Sequence, residues 1–120
     1  MKEETGKWWK QSASDLTTAE YNLKGKRLSA AAFYSQQAVE KALKALQIER
    51  SDRFDRTHDL VYLADDLDAP DDIVKLCELI APFYTATRYP DVETRYDNRK
   101  ARSLLKASRE VVEWVERSLR

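Results

Sequence analysis

The sequence predicts an all-α fold, an antiparallel up-and-down bundle of four main helices plus one short helix, with residues 1–120 forming a single domain. Three observations carry that prediction. Five segments repeat apolar residues at helical spacing, and no segment alternates apolar and polar residues for long enough to build a sheet. The 120 residues include only 2 glycines and 3 prolines. A composition 42% hydrophobic and 35% charged suits long helices with solvated outer faces, and a chain of this length buries one shared core rather than two.

The first helix is expected from about Thr5 to Lys24, with Trp9, Ala13, Leu16, Ala19 or Glu20, and Leu23 on its apolar face and Gly25 as its C-terminal cap. The second runs from Leu28 to about Glu49, where Leu28, Ala31, Ala32, Ser35, Ala38, Val39, Ala42, Leu43 and Leu46 share one stripe. Its alanines admit a neighbouring backbone closely, which places it at the centre of the bundle. Residues 50–56 hold no period and read as a loop, after which Thr57 is expected to cap a short helix through Leu60, Leu63, Ala64 and Leu67. Pro70 suits the first position of the fourth helix, with Asp71 and Asp72 in its positively polarised first turn. That helix continues through Ile73, Leu76, Cys77, Ile80 and Phe83, with a kink expected at Pro82. Residues 88–97 read as a loop. The last helix starts near Asn98 and turns Ala101, Leu104, Leu105, Ser108, Val111, Val112, Val115 and Leu119 inward.

Composition excludes several function classes. Lys plus Arg and Asp plus Glu number 21 each, so no global field draws the chain to a polyanion and any such site is a local patch. The opening MKEETGKWWK has no apolar signal core and no later run approaches a membrane span, so a cytoplasmic location without membrane attachment is expected. With Gly6 and Gly25 as its only glycines the chain has no phosphate-cradling loop or dinucleotide fingerprint. A single cysteine, Cys77, and a single histidine, His58, remove disulfides and multi-cysteine or histidine-pair metal sites. No cofactor and no metal are expected. Cys77 reads as a small buried apolar side chain, and His58 as a residue in the first turn of the short helix that fixes the preceding loop by a side-chain hydrogen bond.

Two places carry candidate chemistry. On the polar side of the second helix Gln36, Gln37, Glu40, Lys41 and Lys44 lie alongside the apolar stripe, with Glu40 and Lys44 in the favourable i, i+4 order. This strip is either a solvated face with a surface ion pair or the lining of a groove. After the fourth helix, residues 84–102 interleave Tyr84, Tyr89 and Tyr96 with Arg88, Arg95, Arg99, Lys100 and Arg102. Aromatics beside guanidinium groups stack on bases and grip phosphates, although pairing of Arg88 with an acidic neighbour and packing of Tyr89 over the bundle end fit equally. The candidate ligand-binding residues are Gln37, Glu40, Lys41, Lys44, Arg88, Tyr89 and Arg95, of which Gln37, Lys41, Lys44, Arg88 and Tyr89 are expected to converge on one groove.

The run Ser35-Gln36-Gln37-Ala38-Val39-Glu40-Lys41-Ala42-Leu43-Lys44-Ala45, then Thr57-His58-Asp59-Leu60, then Arg88-Tyr89-Pro90-Asp91, resembles the HEPN domain family in order and spacing. Trp9, Ala13, Asp15-Leu16 and Ala19 extend the resemblance to the opening helix. The resemblance implies an antiparallel helical bundle, a homodimer, a minimal nucleotidyltransferase as partner, and a nucleotide- or RNA-related role, in a toxin-antitoxin-like pair. The resemblance also implies that many relatives are metal-independent ribonucleases whose arginine and histidine have four to six residues between them near the last helix. Here those histidine positions hold Glu93, Thr94 and Arg95 counted from Arg88, and Lys100, Ala101 and Arg102 counted from Arg95. The expected function is therefore a noncatalytic module that dimerises and binds a nucleotide, RNA or a nucleotidyltransferase subunit. The alternatives are a ribonuclease using Arg88 or the Arg53 and His58 pair, and a purely structural helical adaptor.

Overall fold

A computed structural model describes residues 1–91 and 96–120. Its elements are α1 (Glu3–Lys24), α2 (Leu28–Ser51), α3 (Leu60–Asp66), α4 (Asp71–Ile80), α5 (Phe83–Arg88) and α6 (Asn98–Leu119). The described residues contain helices and no strand, and no helix among them is long and apolar enough to cross a membrane. The expected kink at Pro82 is a full break. Pro82 has no N–H to give, so α4 ends at Ile80 and α5 restarts at Phe83 while the linking residues Ala81 and Pro82 keep helical dihedrals.

Antiparallel packing of α1 on α2 can be read from their cross-links: Lys2 reaches Asp52, Ser12 reaches Ala38 and Asp15 reaches Lys41. α2 packs most extensively on α1, then on α6, and also touches α3 and α5, so it is the central helix. The core gathers Val39, Leu43 and Leu46 of α2, Leu60 and Leu63 of α3, Ile73 and Ile80 of α4, and Leu104, Val111 and Val115 of α6. Each such side chain, fully buried, contributes on the order of 1.5–3 kcal/mol.

The inner face of α1 departs from expectation. Ala13 is exposed, and the buried strip is Thr5, Ser12, Asp15 and Ala19, flanked by half-buried Trp9 and Leu16. The cause is the alanine ridge of α2, which brings the two backbones so close that the Ser12 hydroxyl donates to the Ala38 carbonyl at 2.7 Å. Only small or hydrogen-bonded side chains fit there.

Helix ends also differ in detail. Gly25 caps α1 but keeps φ at −79°, and the left-handed position falls on Lys26 at φ 60°. The bonds Lys26 N–H to Leu23 O and Arg27 N–H to Asn22 O complete a Schellman motif around it. Asp59, not Thr57, caps α3 by accepting from the Tyr62 N–H, because the Thr57 hydroxyl is occupied in accepting from the Asp59 N–H. Pro70 stands at the N-cap of α4, one residue before the first helical position, and the Asp97 side chain caps α6.

Candidate functional site

The polar strip of α2 is not a solvated face. Gln36, Glu40, Lys44 and Gln47 follow one another at near-helical spacing on a helix enclosed by α1, α3, α5 and α6, and all four are buried. Enclosure forces them to satisfy one another or groups brought from elsewhere, since an unpaired buried charge costs several kcal/mol. Gln37 Nε2 donates to Gln36 Oε1 at 2.6 Å, and Gln36 Nε2 donates to Glu40 Oε1 at 3.3 Å. Lys44 Nζ donates to Glu40 Oε2 at 3.1 Å, with both side chains only 5–6% exposed. Gln47 staples the following loop to the helix: its Nε2 donates to Asp55 and Asp66, and its Oε1 accepts from the Asp55 N–H.

That stapled loop completes the site. It delivers His58 so that Nδ1 lies 2.9 Å from Glu40 Oε1, while the imidazole stays half exposed. The other side of the ring environment is Tyr84 of α5, stacked on the imidazole at 4.1 Å between centroids and 16° between planes. One helical turn on, the Arg88 guanidinium rests 4.9 Å from the centroid of the same Tyr84 ring. Glu40, His58, Tyr84 and Arg88 thus form a chain of contacts from the buried centre of α2 to the exposed end of α5.

On the α1 side the loop delivers Phe54, whose ring packs on Trp8 at 4.5 Å. The Lys44 ammonium lies 5.9 Å from the Trp8 ring and 5.5 Å from Phe54, and Arg56 lies 5.4 Å from Phe54. Lys41 stands at the rim, its Nζ donating to the buried carboxylate of Asp15 at 2.5 Å, and Gln11 bonds the other Asp15 oxygen. Glu4, Trp8, Glu40, Lys41, Lys44, Phe54, Arg56 and His58 line a depression of about 580 Å³. It shares Glu4, Phe54 and Arg56 with a neighbouring depression of about 650 Å³ that runs past Lys2, Ile48, Asp52 and Arg53. At its other end it shares Trp8 and Lys41 with one of about 220 Å³ that reaches Lys7 and Gln11. Together they make one groove along the N-terminal half of α1.

Of the residues singled out in the sequence, Glu40, Lys41 and Lys44 line this groove, and Gln37 supports it through Gln36. Arg88 does not line the groove; its guanidinium rests on Tyr84, which in turn stacks on His58. Tyr89 caps the end of α5, 52% exposed, and is not among the groove-lining side chains. Arg95 lies outside the described residues. The Arg53 and His58 spacing brings no pair together among the described residues: Arg53 turns to Asp55 at 3.4 Å, and His58 turns to Glu40. The hydrogen bond expected of His58 therefore runs to α2. Sequence reasoning missed Trp8, Phe54 and Arg56 as lining residues. The adjacent Trp8 and Trp9 were the available signal, since at 100° per residue one of two neighbours must turn away from a core stripe.

Comparison with known proteins adds a family. No curated protein matches the chain. The structure of TT1696 from Thermus thermophilus superposes with a TM-score of 0.89 at 27% identity, covering 97% of this chain and 98% of that one. The structure of ST0689, an archaeal HEPN homologue, superposes with a TM-score of 0.85 at 30% identity over 100% of both chains. The family model for the HEPN domain matches residues 5–118, and with the fold and the groove in place the chain belongs to the HEPN family.

Proposed function

We propose that the chain is a noncatalytic HEPN module that binds single-stranded RNA along the α1 groove, in preference to a free mononucleotide. One observation carries this reading: three depressions lie side by side, the middle one sharing Glu4, Phe54 and Arg56 with one neighbour and Trp8 and Lys41 with the other. A mononucleotide fills one of them. A strand of several nucleotides uses all three, with bases on the Trp8 and Phe54 rings and phosphates on Arg56 and, in exchange for their carboxylate partners Glu4, Asp15 and Asp55, on Lys7, Lys41 and Arg53. Lys44 is already neutralised by Glu40 and serves the groove as a cation behind its aromatic wall. In this reading the module works as a homodimer in the cytoplasm, the Phe33 and Tyr34 pair on the outer side of α2 contributing to the subunit contact. A minimal nucleotidyltransferase is its further partner, in a toxin-antitoxin-like pair.

A second reading, a metal-independent ribonuclease, has one observation in its favour. Glu40 engages His58 at Nδ1 and leaves the ring half exposed, an arrangement suited to a base for a ribose 2′-hydroxyl, with Arg88 on the neighbouring ring to meet the phosphate. Binding needs no such base.

Both readings meet in one experiment. Fluorescein-labelled oligouridylates of one, four and eight nucleotides are titrated with wild type, Arg56→Ala and Phe54→Ala, and the eight-mer is followed on a gel with wild type, His58→Ala and Arg88→Ala. The binding reading expects affinity to rise with length, to fall with salt and to drop by about tenfold in each groove variant. Equal affinity for all lengths refutes a strand ligand. Cleavage by wild type that His58→Ala or Arg88→Ala abolishes establishes the ribonuclease instead. Light scattering that returns the mass of a single chain at all micromolar concentrations removes the dimer.

A further inference from the structure

A second cleft lies between the C-terminal end of α1 and the first half of α6. Leu23 is some fifteen residues beyond Trp8, roughly 22 Å along the helix axis, so this cleft is separate from the groove. It holds about 380 Å³ over Leu23 and Leu105, and its rim is Glu20, Lys24, Arg102, Lys106 and Arg109. The arrangement follows from the sequence of α6. Ala101, Leu104, Leu105 and Ser108 turn into the bundle, and Arg102, Lys106 and Arg109, four and three residues apart, stack in a row beside that stripe.

The row is nearly uncompensated. Arg109 pairs with Glu20 at 3.2 Å, but among the described residues Lys24, Arg102 and Lys106 have no carboxylate within salt-bridge distance. Glu20 is the one carboxylate among the cleft's lining residues, whereas Asp65, Asp66, Asp68, Asp71 and Asp72 cluster around the turn from α3 to α4. Cations held side by side over an apolar floor repel one another, and an anionic partner relieves that repulsion.

We propose that this cleft docks an acidic amphipathic helix of a partner protein. No aromatic ring lines it, so the bases of a nucleic acid have no stacking platform, and of its floor Leu105 is buried while Leu23 is half-buried. An amphipathic helix covers the floor with its own apolar stripe. Its carboxylates at i, i+4 and i+7 repeat the rises of about 6 Å and 4.5 Å that separate Arg102, Lys106 and Arg109. The two arginines accept such carboxylates in bidentate geometry.

The test uses the full chain and a fluorescein-labelled, 18-residue helical peptide with a leucine stripe flanked by glutamates. Its controls are a twin with lysine in place of every glutamate and a ten-nucleotide oligouridylate. The acidic peptide is expected to bind with a Kd below about 100 μM, to weaken as salt rises, and to lose about tenfold or more in affinity in Arg102→Glu/Lys106→Glu. Arg102→Gln/Lys106→Gln, which adds no repulsion, should lose a smaller amount in the same direction, and Arg56→Ala none; circular dichroism checks that each variant keeps its helices. Absent binding of the acidic peptide, equal binding of its lysine twin, or indifference to both α6 variants overturns the proposal. So does oligouridylate binding that depends on Arg102 and Lys106, or a homodimer that these substitutions dissociate.

Discussion

Glu40 and Lys44 form the ion pair whose disruption should cost this protein most. Their atoms lie 3.1 Å apart with both side chains 5–6% exposed, so removing one partner leaves a charge that water cannot reach. At an effective dielectric constant near 20 the attraction is about 5 kcal/mol, offset by the desolvation of both ions. Loss of one member of such a pair costs roughly 3–5 kcal/mol, a large share of the ~5–15 kcal/mol by which domains are stable. The two single variants should differ. Lys44→Met leaves Glu40 the Gln36 amide and the His58 imidazole as partners, whereas Glu40→Leu strips Lys44 of its carboxylate and leaves only the Trp8 and Phe54 rings. Urea unfolding at neutral pH should therefore place Lys44→Met near 3 kcal/mol of destabilisation and Glu40→Leu nearer 5 kcal/mol. The double variant Glu40→Leu/Lys44→Met, apolar at both positions, should recover most of the loss. Single variants within about 0.5 kcal/mol of wild type would refute the enclosed pair, and a double variant as unstable as the worse single would refute the assignment of the cost to an unpaired charge.

Two further outcomes follow from local geometry. Lys26→Gly should raise stability by about 0.5–1 kcal/mol in the same urea assay, because φ at 60° burdens a side chain with a Cβ and suits glycine; an unchanged or lower midpoint would show that the Schellman turn carries no such strain. Burial, helped by the nearby Asp65 carboxylate, pushes the Cys77 thiol up to about 12 from its ordinary 9.0. A folded value raised above the unfolded one contributes stability that is whole below about pH 9 and is lost as pH rises towards 12, up to roughly 4 kcal/mol. The stability gap between wild type and Cys77→Ala should accordingly shift against wild type across that window, and parallel pH profiles would contradict it.

The helical period made α2 and α6 legible almost to the residue, and Pro82 announced the break between α4 and α5. Helix ends were harder. Gly25 drew the cap of α1 to itself, yet the left-handed residue is Lys26, because the position of a Schellman turn depends on where α1 leaves α2 rather than on the nearest glycine. The inner face of α1 was misread for a related reason. An apolar stripe is the signature of a helix that packs on large side chains, and α1 packs on alanines, where Ser12 and Asp15 replace bulk by bonds to Ala38 and Lys41. Nothing in residues 50–56 signals by period that Phe54 and Arg56 turn towards Trp8; Gln47, three contacts deep in the loop, decides it.

The candidate site was nonetheless latent in the alanines. From Ala38 to Ile48 every residue of α2 except Lys41 is buried, and a helix closed in on this scale has no wet side on which to leave a charge. Once the small residues placed α2 at the centre, Gln36, Glu40, Lys44 and Gln47 had to be inside, and inside they had to find partners. Glu40 can answer Lys44 and Gln36 within its own helix, but its Oε1 also takes His58, and Gln47 can be satisfied only by groups from the following segment. The same requirement that hides the polar residues therefore draws the 52–58 loop onto the helix. Its Phe54, Arg56 and His58 become the wall of the groove as a consequence of satisfying Gln47 and Glu40. A groove made in this way is held at its base, where the partners are buried, and open at its rim, where Lys41 is tied to Asp15 and Arg56 has no carboxylate within salt-bridge distance among the described residues. Weakening the base through Gln47 should then loosen the wall without touching any group that meets the ligand.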